Sequence, residues 1–310
     1  MKGLSRIVAG VSVAVVALIF SASQARAVIN VDGTLGGDYG SALAVQGNPT
    51  GFGNSTSGDG LSTGGSELDA GYGVISGGSL YLFLAGNVEI NTGSSGNANH
   101  WNVFIATGAP GQSTLNISPS TAGNMNGSTF SPGFQGVYMV DANNFGGTRL
   151  FVDGVDLTTG PPATSSFLGG IPAPGGIGSA TVGGITIGIN NTNAGGIDGS
   201  TATSVQALSV TTGLELQIPL SMIGNPSGPI EVLADVNGGG NGFLSNQFLP
   251  GLPSGTGNVG GGGPYTGGNS SQFNFGSTPG EFFTVVPEPS TIGLVVVGLL
   301  GALGIRRRKV

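Results

Sequence analysis

Between positions 28 and 286, apolar residues fall in short runs separated by clusters of Gly, Asn and Ser. From Ser79 to Val88, Leu80, Leu82 and Leu84 alternate with Tyr81 and Phe83, so both faces are apolar. That predicts a central strand buried on both sides. Asn102 to Thr107, Gly136 to Val140, Arg149 to Val152 and Ala180 to Ile189 are further strand candidates, the last dense in β-branched residues. Ser204 to Val210 and Leu214 to Ile218, joined by Thr211-Thr212-Gly213, read as a hairpin. In its second arm Leu214, Leu216 and Ile218 point one way and Glu215 and Gln217 the other. Ile230 to Val236 and Glu281 to Val286 bring the expectation to roughly ten to twelve strands. A 3.6-residue period is absent outside the two ends, which predicts an all-β sandwich with few or no helices.

The segment Gly183 to Gly196 has a solenoid flavour, but it does not recur at constant spacing, so a β-helix is the lesser alternative. From Leu249 to Gly280 the chain is so rich in Gly, Pro and Ser that a long loop or spacer is expected.

The ends follow a different pattern. Lys2 and Arg6 precede an apolar run from Ile7 to Phe20, and Ala25-Arg26-Ala27 supplies the small-x-small pattern of a signal peptidase site, with Val28 next. Fourteen residues of helix span only about 21 Å, short of a hydrocarbon core of roughly 30 Å. A cleaved signal is therefore expected over a lasting anchor. At the other end Ile292 to Ile305 is apolar or Gly, followed at once by Arg306, Arg307, Arg308 and Lys309. Such a basic cluster stays on the cytoplasmic side, leaving the body outside. Counted from Pro289 the segment is a helix at the lower limit of length for spanning, and its four glycines predict a weak anchor, better suited to transient than to lasting membrane insertion.

Charge sharpens this division. The segment 28–286 holds fourteen of the fifteen acids and one base, Arg149, a net charge of −13. Nucleic acid and anionic lipid are excluded as electrostatic partners, since they need clustered Lys and Arg. Gly and Pro together make up about a quarter of the chain, yet 38% of residues are apolar and only 7% charged, which favours folding over disorder. The chain has no cysteine, which removes disulfides, thiolate metal sites and thiol nucleophiles.

Immediately before the C-terminal apolar run stands Val286-Pro287-Glu288-Pro289-Ser290. The order of Pro287, Glu288 and Pro289, an apolar Gly/Leu segment and a terminal Arg cluster resembles the PEP-CTERM proteins. The resemblance implies recognition by an exosortase-type membrane enzyme, removal of the tail, and delivery to the surface or exopolysaccharide matrix of a Gram-negative type of bacterium. A second resemblance concerns the body. Val31-Asp32-Gly33-Thr34-Leu35, Gly78 to Leu84 and Gly213 to Leu220, which ends in Ile-Pro-Leu, look like landmarks of family nine carbohydrate-binding modules and DOMON-type domains. Across 28–248 this implies a jelly-roll-like antiparallel sandwich and glycan contact.

Candidate chemistry is sparse. His100, the sole histidine, is the one base any Ser-His-Asp arrangement would use. It has no Gly-x-Ser-x-Gly nearby and is expected exposed or capping. The acids cannot be paired for glycoside hydrolysis from sequence, and several, such as Asp153-Gly154, read as solvated turns. Calcium needs only oxygen ligands. Asp235, Asn237 and Asn241 alternate like the start of an EF-hand loop, but Gly239 fills the fifth position and Asn246 stands where a Glu is wanted. Both a calcium loop and a Gly/Asn turn remain open there, and Asp141-Ala142-Asn143 and Asp198 are weaker calcium candidates. Trp101, the sole tryptophan, is the candidate sugar-stacking ring, against a role in the core.

The expectation is therefore a signal peptide at 1–27, a β-sandwich at 28–248, a Gly/Pro-rich loop or spacer with a final strand at 249–286, and a sorting segment at 287–310. An N-terminal signal helix and a C-terminal hydrophobic helix would flank the sandwich. The expected role is non-enzymatic: a surface or matrix structural protein, with a glycan- or calcium-binding module as the alternative. Its expected partners are signal peptidase, an exosortase-type enzyme and exopolysaccharide.

Overall fold

A computed structural model describes residues 29–52, 66–89, 99–143, 148–173, 176–193, 195–197, 203–238, 240–261, 273–278 and 280–287. The two flanking helices, the signal cleavage pair Ala25 and Ala27, the calcium candidate Asp198, and sorting residues Glu288, Pro289, Arg306, Arg307 and Arg308 lie outside them. Among the described residues no helix is long and apolar enough to cross a membrane.

After a two-residue strand β1 (Ala44–Val45), β2 (Glu67–Ser76) and β3 (Ser79–Asn87) form an antiparallel hairpin. Its two-residue turn, Gly77-Gly78, has φ of +56° and +80°, a left-handed pair that matches the strand twist and favours glycine. The chain then enters a second sheet and meanders through β4 (His100–Ala106), β5 (Gly136–Asn143), β6 (Arg149–Asp156) and β7 (Ser165–Pro172). It returns to the first sheet with β8 (Ile177–Val182), β9 (Ile185–Asn190) and β10 (Gly213–Pro219). The second sheet is completed by β11 (Ile230–Gly238), β12 (Phe243–Leu249) and β13 (Phe283–Val285). Strand orders are β1-β2-β3-β10-β9-β8 and β12-β11-β4-β5-β6-β7, with β13 also paired to β11.

Alternation becomes packing directly. Leu216 sits between Leu82 of β3 and Ile187 of β9 in register. This inward set meets Trp101, Val103, Ile105, Val140, Val152, Val232 and Val236 of the facing sheet in one buried cluster. The result is a β-sandwich, and β3 is buried along its whole length, as its two apolar faces predict. On its other face Phe83 packs against Tyr39 and Tyr72.

A second core lies on the outer face of the second sheet. There Phe104, Met139, Val155 and Leu233 are covered by Leu115, Ile117, Phe130, Phe134, Leu252, Val259, Phe273 and Phe275. Phe130 and Phe275 stack at 5.2 Å between ring centres, and Phe273 meets Phe275 edge-on at 4.9 Å. The described part of 249–286 is thus not a spacer. Leu252, Val259, Phe273 and Phe275 pin it to the outer face of the sheet, and Asn30–Pro287 forms one unit.

Other expectations also change. Ala180 to Ile189 is two strands, split by Gly183-Gly184 with φ of +56° and +88°. Ser204 to Val210 is not a hairpin arm. Thr203 and Gln206 form a reciprocal capping box that starts one helical turn, α1 (Ser204–Ala207), and β10 pairs with β3 and β9 instead. Strands β1, β2, β7 and β12 are additional to those expected. In β12 the polar Ser245, Asn246 and Gln247 are buried and hydrogen-bonded, so that strand shows no apolar alternation.

Candidate functional site

Four neighbouring strands bring polar residues into register on the outer face of the second sheet. Asp235 of β11 faces Asn102 of β4, which faces Asp141 of β5, which faces Asp153 of β6. Two residues along the strands, Asn237, His100 and Asn143 form a parallel row. Two residues in the opposite direction, Leu233, Phe104, Met139 and Val155 belong to the second core. The same face therefore passes from apolar to polar within one step of the strand period.

Two loops close over the polar rows. Asn241, in the turn between β11 and β12, has φ of +65°, a left-handed conformation that Asn tolerates better than most residues. Its Nδ2 donates to Asp141 Oδ2 at 2.8 Å, and its Oδ1 accepts from Asn102 Nδ2 at 2.8 Å. The same Asn102 nitrogen donates to Asp235 Oδ1 at 2.8 Å. His100 Nδ1 lies 2.6 Å from Asp141 Oδ1. The 3₁₀ turn Thr121–Met125 supplies the other cover: Asn237 Nδ2 reaches Met125 Sδ at 3.2 Å, and Asn124 Nδ2 donates to the Gly240 carbonyl at 2.8 Å.

Burial governs the electrostatics. Asp235 is fully enclosed, and desolvation pushes its pKa up to about 7, with Asp141 adding to the rise and the Asn102 hydrogen bond and His100 opposing it. Burial alone would lower the His100 pKa, but the charge and hydrogen bond of Asp141 outweigh it, so the net direction is upward. Asp153, half-buried, is raised to about 6 by desolvation and then by Asp141. Three buried oxygens, Asp235 Oδ2, Asn102 Oδ1 and Asn237 Oδ1, have no hydrogen-bond partner. A proton on Asp235 Oδ2 would give this cluster the donor it lacks.

The sequence candidates are redistributed. Asp235, Asn237 and Asn241 do come together, and Asn241 does lie in a turn leaving a strand, but Asp235 is sealed from solvent. His100 is neither exposed nor capping: it is buried at 5% exposure and paired with Asp141. Asp153 is in mid-strand rather than in a turn. Trp101 points into the sandwich core at 1% exposure and offers no face to a sugar. Among the described residues, no group of three or more His, Asp and Glu side chains is arranged to hold a metal ion. Asn102, which knits the cluster, was not singled out by the sequence, and Asp141 only as a weaker calcium candidate.

A second buried carboxylate joins two of the sequence landmarks. Glu215 of β10 accepts from the Asp32 and Gly33 backbone N–H groups at 2.9 and 3.0 Å and from the Tyr39 hydroxyl at 2.7 Å. Its pKa is raised by burial, against the lowering effect of those hydrogen bonds. A side chain at Gly188 would lie 2.6 Å from the Gly33 nitrogen, so glycine there lets the N-terminal segment lie on the sheet.

At the end of the fold, β13 pairs Val285 with Ile230 and Phe283 with Val232. Val286 is 61% exposed, and Pro287 is the last described residue, half-buried at the end of the body. The class is thus an all-β sandwich whose final strand leads straight into a proline-bounded C-terminal segment. Residues 285–309 match the PEP-CTERM protein-sorting motif, so the chain carries that motif, which implies export and exosortase processing. No curated protein and no solved structure matches the chain.

Proposed function

We propose that this protein is a non-catalytic structural component of the cell surface or extracellular polysaccharide matrix, exported by a signal peptide cut after Ala27 and released from its C-terminal tail near Pro287. The body would be the working part, a sandwich of jelly-roll-like type, and the tail an address that inserts transiently in the membrane. The observation that carries this reading is the position of the sorting motif. It begins at 285, where β13 ends, so a cut beyond Val285 removes the tail and leaves every described strand in place. The test is the intact mass of the protein recovered from medium or cell surface. A mass spanning Val28 to about Pro287 supports it, and a mass that retains Arg306 to Lys309 overturns the release of the tail. Hydrolysis of a cell-envelope polysaccharide by the purified protein would refute the non-catalytic role.

A second reading, a surface module binding calcium or glycan, is favoured by two features. Asp235 Oδ2, Asn102 Oδ1 and Asn237 Oδ1 are unpartnered oxygens of the kind Ca²⁺ takes, enclosed beneath the Asn241 turn, which an entering ion would have to displace. Phe167, 64% exposed, lies 6.2 Å from Phe151 beside Asp153 and forms an aromatic surface that a sugar ring could cover. Titration calorimetry with Ca²⁺ and with envelope polysaccharides tests each.

A further inference from the structure

A two-sheet sandwich has four lateral edges, and exposed edges template the pairing of another strand unless they are guarded. Three are guarded here. On the first, the two-residue β1 pairs only with Ala70 and Gly71, and the β2 edge beside it has Phe283 and Val285 of β13 packed against Gly71 and Gly73. The β12 edge is overlaid by the N-terminal segment, where Gln46 Nε2 donates to the Phe248 carbonyl at 2.9 Å and Asn246 Nδ2 to the Pro49 carbonyl at 2.8 Å. β7 is interrupted by a bulge opposite Val152 and Asp153 and ends in Pro172, which has no N–H to give.

β8 has no bulge, no proline and no segment bonded over its backbone edge, while β7 of the facing sheet packs close beneath it, with the Pro172 carbonyl at Gly178 and Leu168 at Gly183. It pairs with β9 over six residues in unbroken register, Ile177 with Asn190 through Val182 with Ile185, and is the last strand of its sheet. The two-residue glycine turn makes Val182 and Ile185 a hydrogen-bonded pair, so antiparallel alternation directs the N–H and C=O groups of Ile177, Ser179 and Thr181 away from β9. Among the described residues, no backbone hydrogen bond joins these three to another segment. Their side chains are exposed, with Ile177 at 50%, and the Ser179 hydroxyl donates to the Val31 carbonyl at 2.6 Å on the sheet face, a bond that both substitutions of Ser179 below give up.

Charge identifies the occupant. The body carries −13, so two copies repel each other over most of their surface, but residues 157–197 contain no charged side chain. That neutral stretch includes all of β7, β8 and β9. A strand edge is self-complementary under two-fold symmetry, so the neutral open edge of one copy fits the same edge of another.

We propose that β8 is a self-association edge, through which two copies of the chain pair antiparallel about a two-fold axis at Ser179 and join their six-stranded sheets into one of twelve. In this register Ser179 faces Ser179 of the second copy, and Ile177 faces its Thr181. The inference does not depend on how the tail is processed.

The absence of cysteine gives a direct test. A hydrogen-bonded antiparallel pair has Cα atoms about 5.5 Å apart, within the range a disulfide spans. The full chain carrying Ser179→Cys, in mild detergent under gentle oxidation, should run as a disulfide-linked dimer. The same chain with Val205→Cys, 75% exposed on α1, should stay monomeric under identical conditions. Adding Thr181→Pro to Ser179→Cys, which removes one outward N–H, should cut the cross-linked fraction about tenfold with an unchanged circular dichroism spectrum. If the proline variant does not fold, Ser179→Glu, which sets like charges face to face, should turn a sedimenting dimer into a monomer. A monomeric Ser179→Cys chain, equal cross-linking through Val205→Cys, or a Ser179→Glu chain that still sediments as a dimer would overturn the proposal.

Discussion

Replacing Asp235 with Asn tests the central electrostatic claim about the buried polar row. The carboxyl is fully enclosed, and its pKa rises from 3.8 to about 7. Each tenfold change in proton affinity is worth about 1.4 kcal/mol. Ionising this group in the folded protein, rather than in the unfolded chain, therefore costs up to about 4 kcal/mol above neutral pH. Asn reproduces the protonated carboxyl in shape. Its Oδ1 can still accept from Asn102 Nδ2, now at 2.8 Å from Asp235, and its Nδ2 puts a neutral donor where the unpartnered Asp235 Oδ2 stands, in a cluster with two further unpartnered oxygens.

Asp235→Asn should therefore be near neutral at pH 4.5 and stabilising by about 2 to 4 kcal/mol at pH 8.5. For a body of this size that is a rise in Tm of roughly 4–10 °C. Thermal melts of both proteins at the two pH values, without added metal and again with Ca²⁺, decide it. A variant that is destabilised at pH 8.5 would refute the reasoning, because it would mean that the native carboxylate is ionised and held by a counter-charge. If that loss appeared only with Ca²⁺ present, the counter-charge would be the metal.

Other sites make sharper tests of the packing. Phe275→Ala should cost about 3–5 kcal/mol in a denaturant titration, because the ring is fully buried against Phe104, Phe130 and Phe273; a loss below 1 kcal/mol would restore the spacer reading of its segment. Tyr39→Phe should cost about 1–3 kcal/mol, since it strips Glu215 Oε1 of its hydroxyl donor in a buried setting; an unchanged melting temperature would show that the clamp is held by the Asp32 and Gly33 amides alone. Glu288→Ala should leave the melting temperature unchanged while slowing tail removal, read as retained Arg306 to Lys309 in the intact mass.

What the sequence revealed, and what it hid, follows from the range of the interactions. The alternations in Leu80 to Leu84 and Leu214 to Ile218 are local and became β3 and β10 in the predicted orientation. The assignment of 204–210 as a strand was overruled by a local signal, the Thr203–Gln206 capping box, that β-branched residues nearby had obscured. β2 and β12 carry buried polar residues, whose partners lie in distant segments: Asn246 is held by Pro49, 197 positions away. The polar row was half visible. Asp235, Asn237 and Asn241 stand close together in the chain, but Asn102 lies 133 positions from Asp235, and Asp141 lies 100 from Asn241. A strand that reads His100-x-Asn102 before an apolar Phe104 does hold the needed signal, since one face changes from polar to apolar. Only the pairing of β11, β4 and β5 shows that three such faces coincide.

The pH response of the whole body follows from the same environments. Burial is the main cause that pushes five carboxyl groups upward: Glu89, Asp153, Glu215, Glu231 and Asp235. A folded-state pKa above the unfolded value means that the native protein keeps protons the unfolded chain has released. Stability therefore falls as pH rises from about 4 towards 7. His100 has the same sign: its stabilisation by Asp141 is complete below its ordinary pKa of 6.5 and is lost as pH climbs through the raised folded value. These contributions add rather than cancel, so the Tm should be higher at pH 5 than at pH 8. Protonation over the same window also removes negative charge from a body of −13 and weakens repulsion between copies, so cross-linking through Ser179→Cys at pH 5, driven by an oxidant that does not need thiolate, should exceed that at pH 8. A Tm that rises from pH 5 to pH 8 would mean that the buried carboxylates are ionised and paired in the native state, and the electrostatic account of the polar row would fail with it.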